Sequence, residues 1–94
     1  MDITTNPIII DAADVVVGPL TVWESNLHVR NIEFSEYNSI NDFAEVFQAN
    51  GKFFAYLTAA SDLETVKTNN VEWARGIVIP QGGITNGRLA IYIR

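Results

Sequence analysis

Apolar residues recur at every second position through much of this chain, in short runs broken by Gly, Pro and Asn, and this pattern limits the fold more than any other feature. A strand turns alternate side chains to opposite faces, so period-two patterning reads as strands with one buried face. In Val71-Glu72-Trp73-Ala74-Arg75-Gly76-Ile77-Val78-Ile79, the residues Val71, Trp73, Ile77 and Ile79 fall on one parity, and Pro80 ends the run. Leu89, Ile91 and Ile93 again share a parity, with Ala90, Tyr92 and Arg94 opposite. This last strand is expected to run to the C-terminus with no tail after it. Trp73, Ile77, Ile79, Leu89 and Ile91 are therefore expected among the most buried residues.

The segment from Leu20 to Phe34 alternates too. Trp23, Ser25, Leu27 and Val29 interleave with Glu24, Asn26, His28 and Arg30, which predicts a strand with one wet face. At Arg30-Asn31 the phase slips, because Ile32 and Phe34 continue the apolar set on the other parity. A β-bulge there, or a crossing between two sheets, restores both sets to the core.

The middle has two readings. Ser39 with Asp42 resembles a capping box, and Phe43, Val46 and Phe47 have helical spacing up to Gly51. Alternatively Ala44 to Gln48 pairs with Lys52 to Thr58 through Ala49-Asn50-Gly51, since Asn-Gly tolerates the positive φ of hairpin turns. Phe53, Phe54 and Tyr56 favour the hairpin. With Phe53, Ala55 and Leu57 inward, alternation turns Phe54 and Tyr56 outward, where two neighbouring aromatics exceed what a solvated face requires. Leu63 to Thr68 reads as a weak strand closed by Asn69 and Asn70.

The first 19 residues differ. Ile8-Ile9-Ile10 and Val15-Val16-Val17 are unalternating β-branched runs, separated by Asp11-Ala12-Ala13-Asp14 and bracketed by Pro7 and Gly18-Pro19. Such runs need burial on both sides, either in the chain's own sheet or, as an extended arm, on a neighbour.

At 94 residues there is room for one β domain spanning 1–94, with 1–19 as the candidate arm. Folding a chain of this size buries roughly 60–65% of its unfolded surface, enough for a single core. The absence of cysteine leaves stability to packing or assembly. Seven or eight short strands with turn signals between them give the fold class: all-β, an antiparallel sandwich of immunoglobulin-like or jelly-roll-like kind or a small barrel, with at most one short helix. No segment approaches a membrane span, and the N-terminus lacks the basic flank and apolar stretch of a secretory signal, so neither membrane insertion nor export is expected.

The net charge of −5 argues against a nucleic-acid partner, which needs clustered Lys and Arg. Residues 1–64 carry ten acids against Arg30 and Lys52, whereas residues 65–94 carry Lys67, Arg75, Arg88 and Arg94 against Glu72. Antiparallel pairing of distant segments is expected to mix these halves, although a segregated arrangement would make a dipole suited to head-to-tail contacts.

Chemistry is sparse. His28 is the one histidine, on a strand's polar face, with no second His or any Cys to complete a zinc site. Ser25, Ser35, Ser39 and Ser61 stand in no nucleophile elbow. Paired carboxylates for glycoside hydrolysis would need a cleft that so small a domain offers little room for. Gly82 to Arg88 only superficially resembles a phosphate loop, lacking the Lys-Ser/Thr that follows one, and reads as a hairpin connection with positive-φ residues. Asp11 and Asp14 lack the EF-hand spacing and read as solvated turn acids. No catalytic, metal-binding or cofactor-binding residue is assigned, and no enzyme activity or cofactor is expected. The candidate contact residues are Ile8, Ile9, Ile10, Val15, Val16, Val17, Phe54 and Tyr56.

An apolar N-terminal segment, the strand Val22-Trp23-Glu24-Ser25-Asn26-Leu27, a hairpin at Asn50-Gly51, then Glu72-Trp73 and Gly76-Ile77-Val78-Ile79-Pro80 before a closing strand, together resemble small structural proteins of tailed bacteriophages. The resemblance is to capsid decoration and head-fibre components and rests on pattern along most of the chain. It implies a β-rich, non-enzymatic virion protein made in the host cytoplasm. It further implies a homo-oligomer, with a trimer as one form, whose partners are other virion proteins such as the major capsid protein. The competing expectation is a carbohydrate- or protein-binding β module of a tail, baseplate or adhesion apparatus, with Trp23, Trp73, Phe54 and Tyr56 as an aromatic platform. Buried tryptophans would favour the first, exposed ones beside polar groups the second.

Overall fold

The computed structural model describes residues 6–68 and 72–93, apart from the Glu72 side chain. The chain is all-β and antiparallel, as its alternation predicts. Its strands are β1 (Ile8–Asp11), β2 (Leu20–Ser35), β3 (Phe43–Phe47), β4 (Phe53–Thr58), β5 (Val66–Lys67), β6 (Glu72–Ile79) and β7 (Arg88–Ile93), with a 3₁₀ turn at Ala12–Val15. They form one seven-stranded sheet in the order β1-β7-β2-β6-β3-β4, and β5 pairs with β2 off that path.

One apolar cluster takes residues from β1, β2, β3, β4, β6 and β7, with Val66 of β5 packed against it. A single sheet can feed one shared core from every strand only by curling around it, which places the fold with sandwiches and small barrels. Phe34, Ile8, Ile10, Ile32, Ile77, Ile79, Leu89 and Ile91 are its largest fully buried side chains.

β2 makes the curl possible. Its 16 residues pair with β6 along Leu20 to Val29 and with β7 along Val29 to Ser35. The expected phase slip is a bulge: Val29 faces Ile93 and Asn31 faces Tyr92, one residue out of step, so Val29 and Ile32 both point inward. Further irregularities separate Thr21 from Trp23 and Trp23 from Asn26. They leave Leu27 and Val29 buried as expected, while Trp23 is half-buried and Ser25 exposed.

The second of these irregularities corrects the expectation for Trp73. Opposite it on β6 stands Gly76 at φ +79°, where an added Cβ would lie 2.8 Å from the Trp23 carbonyl oxygen and 2.7 Å from the Ala49 Cβ. The chain advances one step out of phase across Arg75-Gly76. Ala74, Ile77 and Ile79 therefore face the core, and Trp73 and Arg75 face solvent. Trp73 is 67% exposed, not a core residue, because parity does not carry through a bulge.

Residues 39–50 form no helix. The hairpin reading holds: Phe43 faces Thr58, Ala44 faces Leu57, Glu45 faces Tyr56 and Val46 faces Ala55. Gly51 at φ +86° makes the turn, with the Asn50 side chain accepting the Lys52 N–H at 3.0 Å. Of the expected strand Leu63 to Thr68 only Val66–Lys67 is extended, and Leu63 takes φ +60°. Asn69, Asn70, Val71 and Arg94 lie outside the described residues. Tyr37, stacked on Phe34 with ring centroids 4.6 Å apart, ties down the link to β5: its hydroxyl accepts the Ala60 N–H and donates to the Glu64 carbonyl.

The connection from β6 to β7 is not a hairpin, since β2 lies between the two strands. It carries the expected positive-φ glycines at Gly82 and Gly87 and passes beside β3, where Ile84 bridges Ala44. Pairing of β1 with β7, and of β2 with β5, β6 and β7, interleaves the acidic and basic parts of the sequence. Arg88 thus meets Asp11 at 2.9 Å and Glu36 at 3.4 Å. The hydrogen bond to Asp11 and the charges of Asp11 and Glu36 raise the Arg88 pKa.

Candidate interaction surface

The N-terminal candidates divide sharply. β1 pairs with β7 from Ile8 opposite Ile91 to Asp11 opposite Arg88, which seats Ile8 and Ile10 in the chain's own core and leaves Ile9 half-buried on the other face. Val15 is also fully buried, whereas Val16 and Val17 stand 66% and 90% exposed. The Asp14 carboxylate accepts the Asp11 N–H at 2.8 Å, so the turn between the two runs is satisfied locally. The apolar segment from Ile8 to Val15 is therefore an edge of this domain, and the Val16-Val17 tip is its most exposed apolar part.

The β3–β4 hairpin carries an exposed aromatic surface. Register places Glu45 and Tyr56 on its outer face, and Phe47 pairs with Phe53 out of step with Val46 and Ala55. The extra residue in that bulge is Phe54. It packs against the core beside Ala55, and Phe53 turns outward in its place, so the expected inward Phe53 and outward Phe54 exchange roles. Tyr56 is outward as expected. The outer face then holds two aromatic pairs: Phe43 stacked on Tyr56 with centroids 5.5 Å apart, and Phe47 edge-on to Phe53 at 5.8 Å. Phe53 and Tyr56 are 56% and 47% exposed.

Phe47 also pairs with Val78, and Val78 with Thr21, so a row of outward residues runs Thr21, Val78, Phe47, Phe53 across four strands. Alternation gave Tyr56 correctly. Phe43, Phe47 and Phe53 were missed because two of them also fit a helical spacing and the third depends on the bulge. Exposed apolar patches of this kind on a small domain mark contact sites.

A second feature lies on the outer face of β2 and β6. His28 faces Trp73 in register, edge-on at 4.9 Å between ring centroids, and its Nδ1 is buried with no hydrogen-bond partner among the described residues. Asn26 faces Arg75 one step along. The wider platform of Trp23, Trp73, Phe54 and Tyr56 does not assemble, because Trp23 and Phe54 pack against the core. Trp73 is also five residues along β6 from Val78, on the far side of the Phe47 row from Tyr56, a separation of at least about 15 Å.

Among the described residues, no three His, Asp or Glu side chains gather as a metal site, and no helix is long and apolar enough to cross a membrane. Comparison with known protein families, with curated proteins and with solved structures finds no match.

Proposed function

We propose that this chain is a non-enzymatic structural and interaction protein: a capsid decoration or head-associated component of a tailed-phage virion, docking on other virion proteins such as the major capsid protein. The observation that carries the interaction role is the outer face of β3–β4, where two aromatic pairs lie on solvent at the end of the sheet. Aromatic side chains bring large contact area at low conformational cost, and they dominate the energetics of protein interfaces. The virion assignment draws on the pattern-level resemblance, and the location follows from it.

The test is rebinding of the purified chain to source particles stripped of it, read as copies retained per particle. Phe53→Ser and Tyr56→Ser together should weaken retention by about 30-fold or more, the effect of losing one interface hot spot of about 2 kcal/mol. The fold should persist with a loss of about 1–2 kcal/mol at most, since both side chains are about half-exposed and only two cross-strand aromatic pairs are removed. Retention equal to wild type would remove this face as the docking surface; failure of the wild-type chain to bind any particle protein would remove the virion reading.

One observation favours the carbohydrate- or protein-binding module instead. Trp73 presents an open indole held by His28, with Asn26 and Arg75 beside it as hydrogen-bonding groups. Stacking a sugar ring on that indole would change its fluorescence. Titration with soluble oligosaccharides should show a saturable change that Trp73→Ala abolishes if this reading holds, and none if it does not.

A further inference from the structure

We infer that the outer edge of β4 pairs antiparallel with β4 of a second copy of this chain, forming a two-fold dimer through a continuous sheet. This rests on the reading of the β3–β4 hairpin as a contact surface and names one partner that it takes.

The backbone geometry is the starting point. Ala59 N–H donates to the Asp42 carbonyl at 3.0 Å, on the far side of the Phe43–Thr58 pair from the remaining rungs. Glu45 N–H donates to Gly83 at 2.7 Å, and the Phe43 carbonyl accepts Thr85 N–H at 3.1 Å. Phe43 and Glu45 thus spend their backbone groups away from β4, as residues of non-hydrogen-bonded antiparallel pairs do. Their partners Thr58 and Tyr56 must then direct their own N–H and C=O groups away from β3. That side is the end of the sheet. β5 comes near β4 but is two residues long and pairs with β2 instead.

The two sheet ends are treated differently. β1 is four residues long, follows a proline that lacks an N–H, and ends in Asp11, which is ion-paired to Arg88. The Asn6 side chain, just before it, both donates to and accepts from the backbone of Ile93. Short length, proline and terminal charge are the devices that stop an edge from pairing with another chain. β4 has none of these three: Phe53-Phe54-Ala55-Tyr56-Leu57-Thr58 holds no charge and no proline, consists largely of strand formers, and confines its bulge to Phe54, leaving Ala55 to Thr58 in regular register.

Charge chooses the occupant and its direction. In a chain of net charge −5, this edge is a neutral stretch, so two copies meeting on it set no like charges directly across the seam. Exposed Lys52 precedes β4, and exposed Asp62 and Glu64 follow it. An antiparallel second copy sets the Lys52 end of each strand near the Asp62/Glu64 end of the other, whereas a parallel one aligns like with like. The two-fold also joins the aromatic outer faces of both hairpins into one surface.

The experiment is the mass of the purified chain by light scattering on a sizing column over a range of concentrations, together with hydrogen exchange. Wild type should move from monomer to dimer as concentration rises, and the amides of Tyr56 and Thr58 should exchange more slowly in the dimer. Tyr56→Pro removes a donor that the β3–β4 ladder does not use and should weaken dimerisation at least tenfold. Tyr56→Lys, which leaves the backbone intact, should do the same by placing like charges across the two-fold; circular dichroism of both variants should match wild type. A wild-type chain that stays monomeric, variants that dimerise as well as wild type, or an oligomer in which these amides stay unprotected would overturn the proposal. Phe53→Ser alone separates the two readings: it leaves Tyr56 and Thr58 of the edge intact, so it should weaken particle retention and still dimerise as wild type does.

Discussion

Ile10→Ala tests whether the N-terminal segment belongs to the domain that carries it. Ile10 is fully buried and lies opposite Leu89, itself fully buried, in the β1–β7 pair. Truncation removes transfer free energy and leaves a cavity among neighbours held by two strands, which costs about 2–5 kcal/mol. A domain of this size holds about 5–15 kcal/mol in all, so the variant should remain folded but clearly weakened. Urea unfolding followed by tryptophan fluorescence reads the change. With a slope of about 1–3 kcal/mol per molar urea, a loss of 3 kcal/mol lowers the midpoint by about 1–3 M. Val17→Ala, seven positions along at 90% exposure, is the matched control and should move stability by no more than about 0.5 kcal/mol. Adding Leu89→Ala should reveal a coupling of at least about 0.5 kcal/mol, because the two side chains share one site in the core. A loss below about 1 kcal/mol for Ile10→Ala, or strict additivity with Leu89→Ala, would refute the placement of β1 in this core and return the segment to the role of a free arm.

Three further outcomes follow from the same geometry. Trp73→Ala should cost less than about 1 kcal/mol in equilibrium unfolding, since the indole is mostly exposed; a loss of 3 kcal/mol or more would mean that it is a core residue after all. Gly76→Ala should destabilise by about 1–3 kcal/mol or more, because alanine is strained at φ +79° and its Cβ would press on the Trp23 carbonyl and on Ala49, and an unchanged melting temperature would contradict the bulge. The charge of Glu33, whose carboxylate lies 3.3 Å from the Tyr92 hydroxyl, raises the Tyr92 pKa, with smaller contributions from burial and the hydrogen bond. A phenol with a raised folded-state pKa contributes stability that is complete below the unfolded value of about 10 and is lost as pH rises through the folded value. Ultraviolet titration should therefore show Tyr92 ionising later than free tyrosine, and Glu33→Gln should bring it earlier; no difference between the two proteins would exclude the pairing.

The alternation of Leu89, Ile91 and Ile93, of Leu27 and Val29, and the slip to Ile32 and Phe34 pointed to strands, an irregularity at Arg30-Asn31 and an all-β fold from sequence, because side-chain period is a local property of extended backbone; that the irregularity is a bulge rather than a crossing between sheets was decided by the pairing with β7. The β3–β4 hairpin was legible for a similar reason, since Asn50-Gly51 and the aromatics of the second arm are local signals. Tertiary structure decided what those signals leave open. Gly76 fits between Trp23 and Ala49 only once β6 lies against β2 and the turn after β3, and the resulting bulge sends Trp73 outward although its parity matches that of Ile77. A second bulge exchanges Phe53 with Phe54, so the aromatic surface belongs to a set of residues that no single strand's pattern specifies. Whether Ile8 and Ile10 are buried at home or on a neighbour was likewise undetermined by their apolarity, which demands burial without naming the partner. The choice was made by β7, which offers Leu89 and Ile91 on one side while β2 occupies the other, so that only one strand position remained for them.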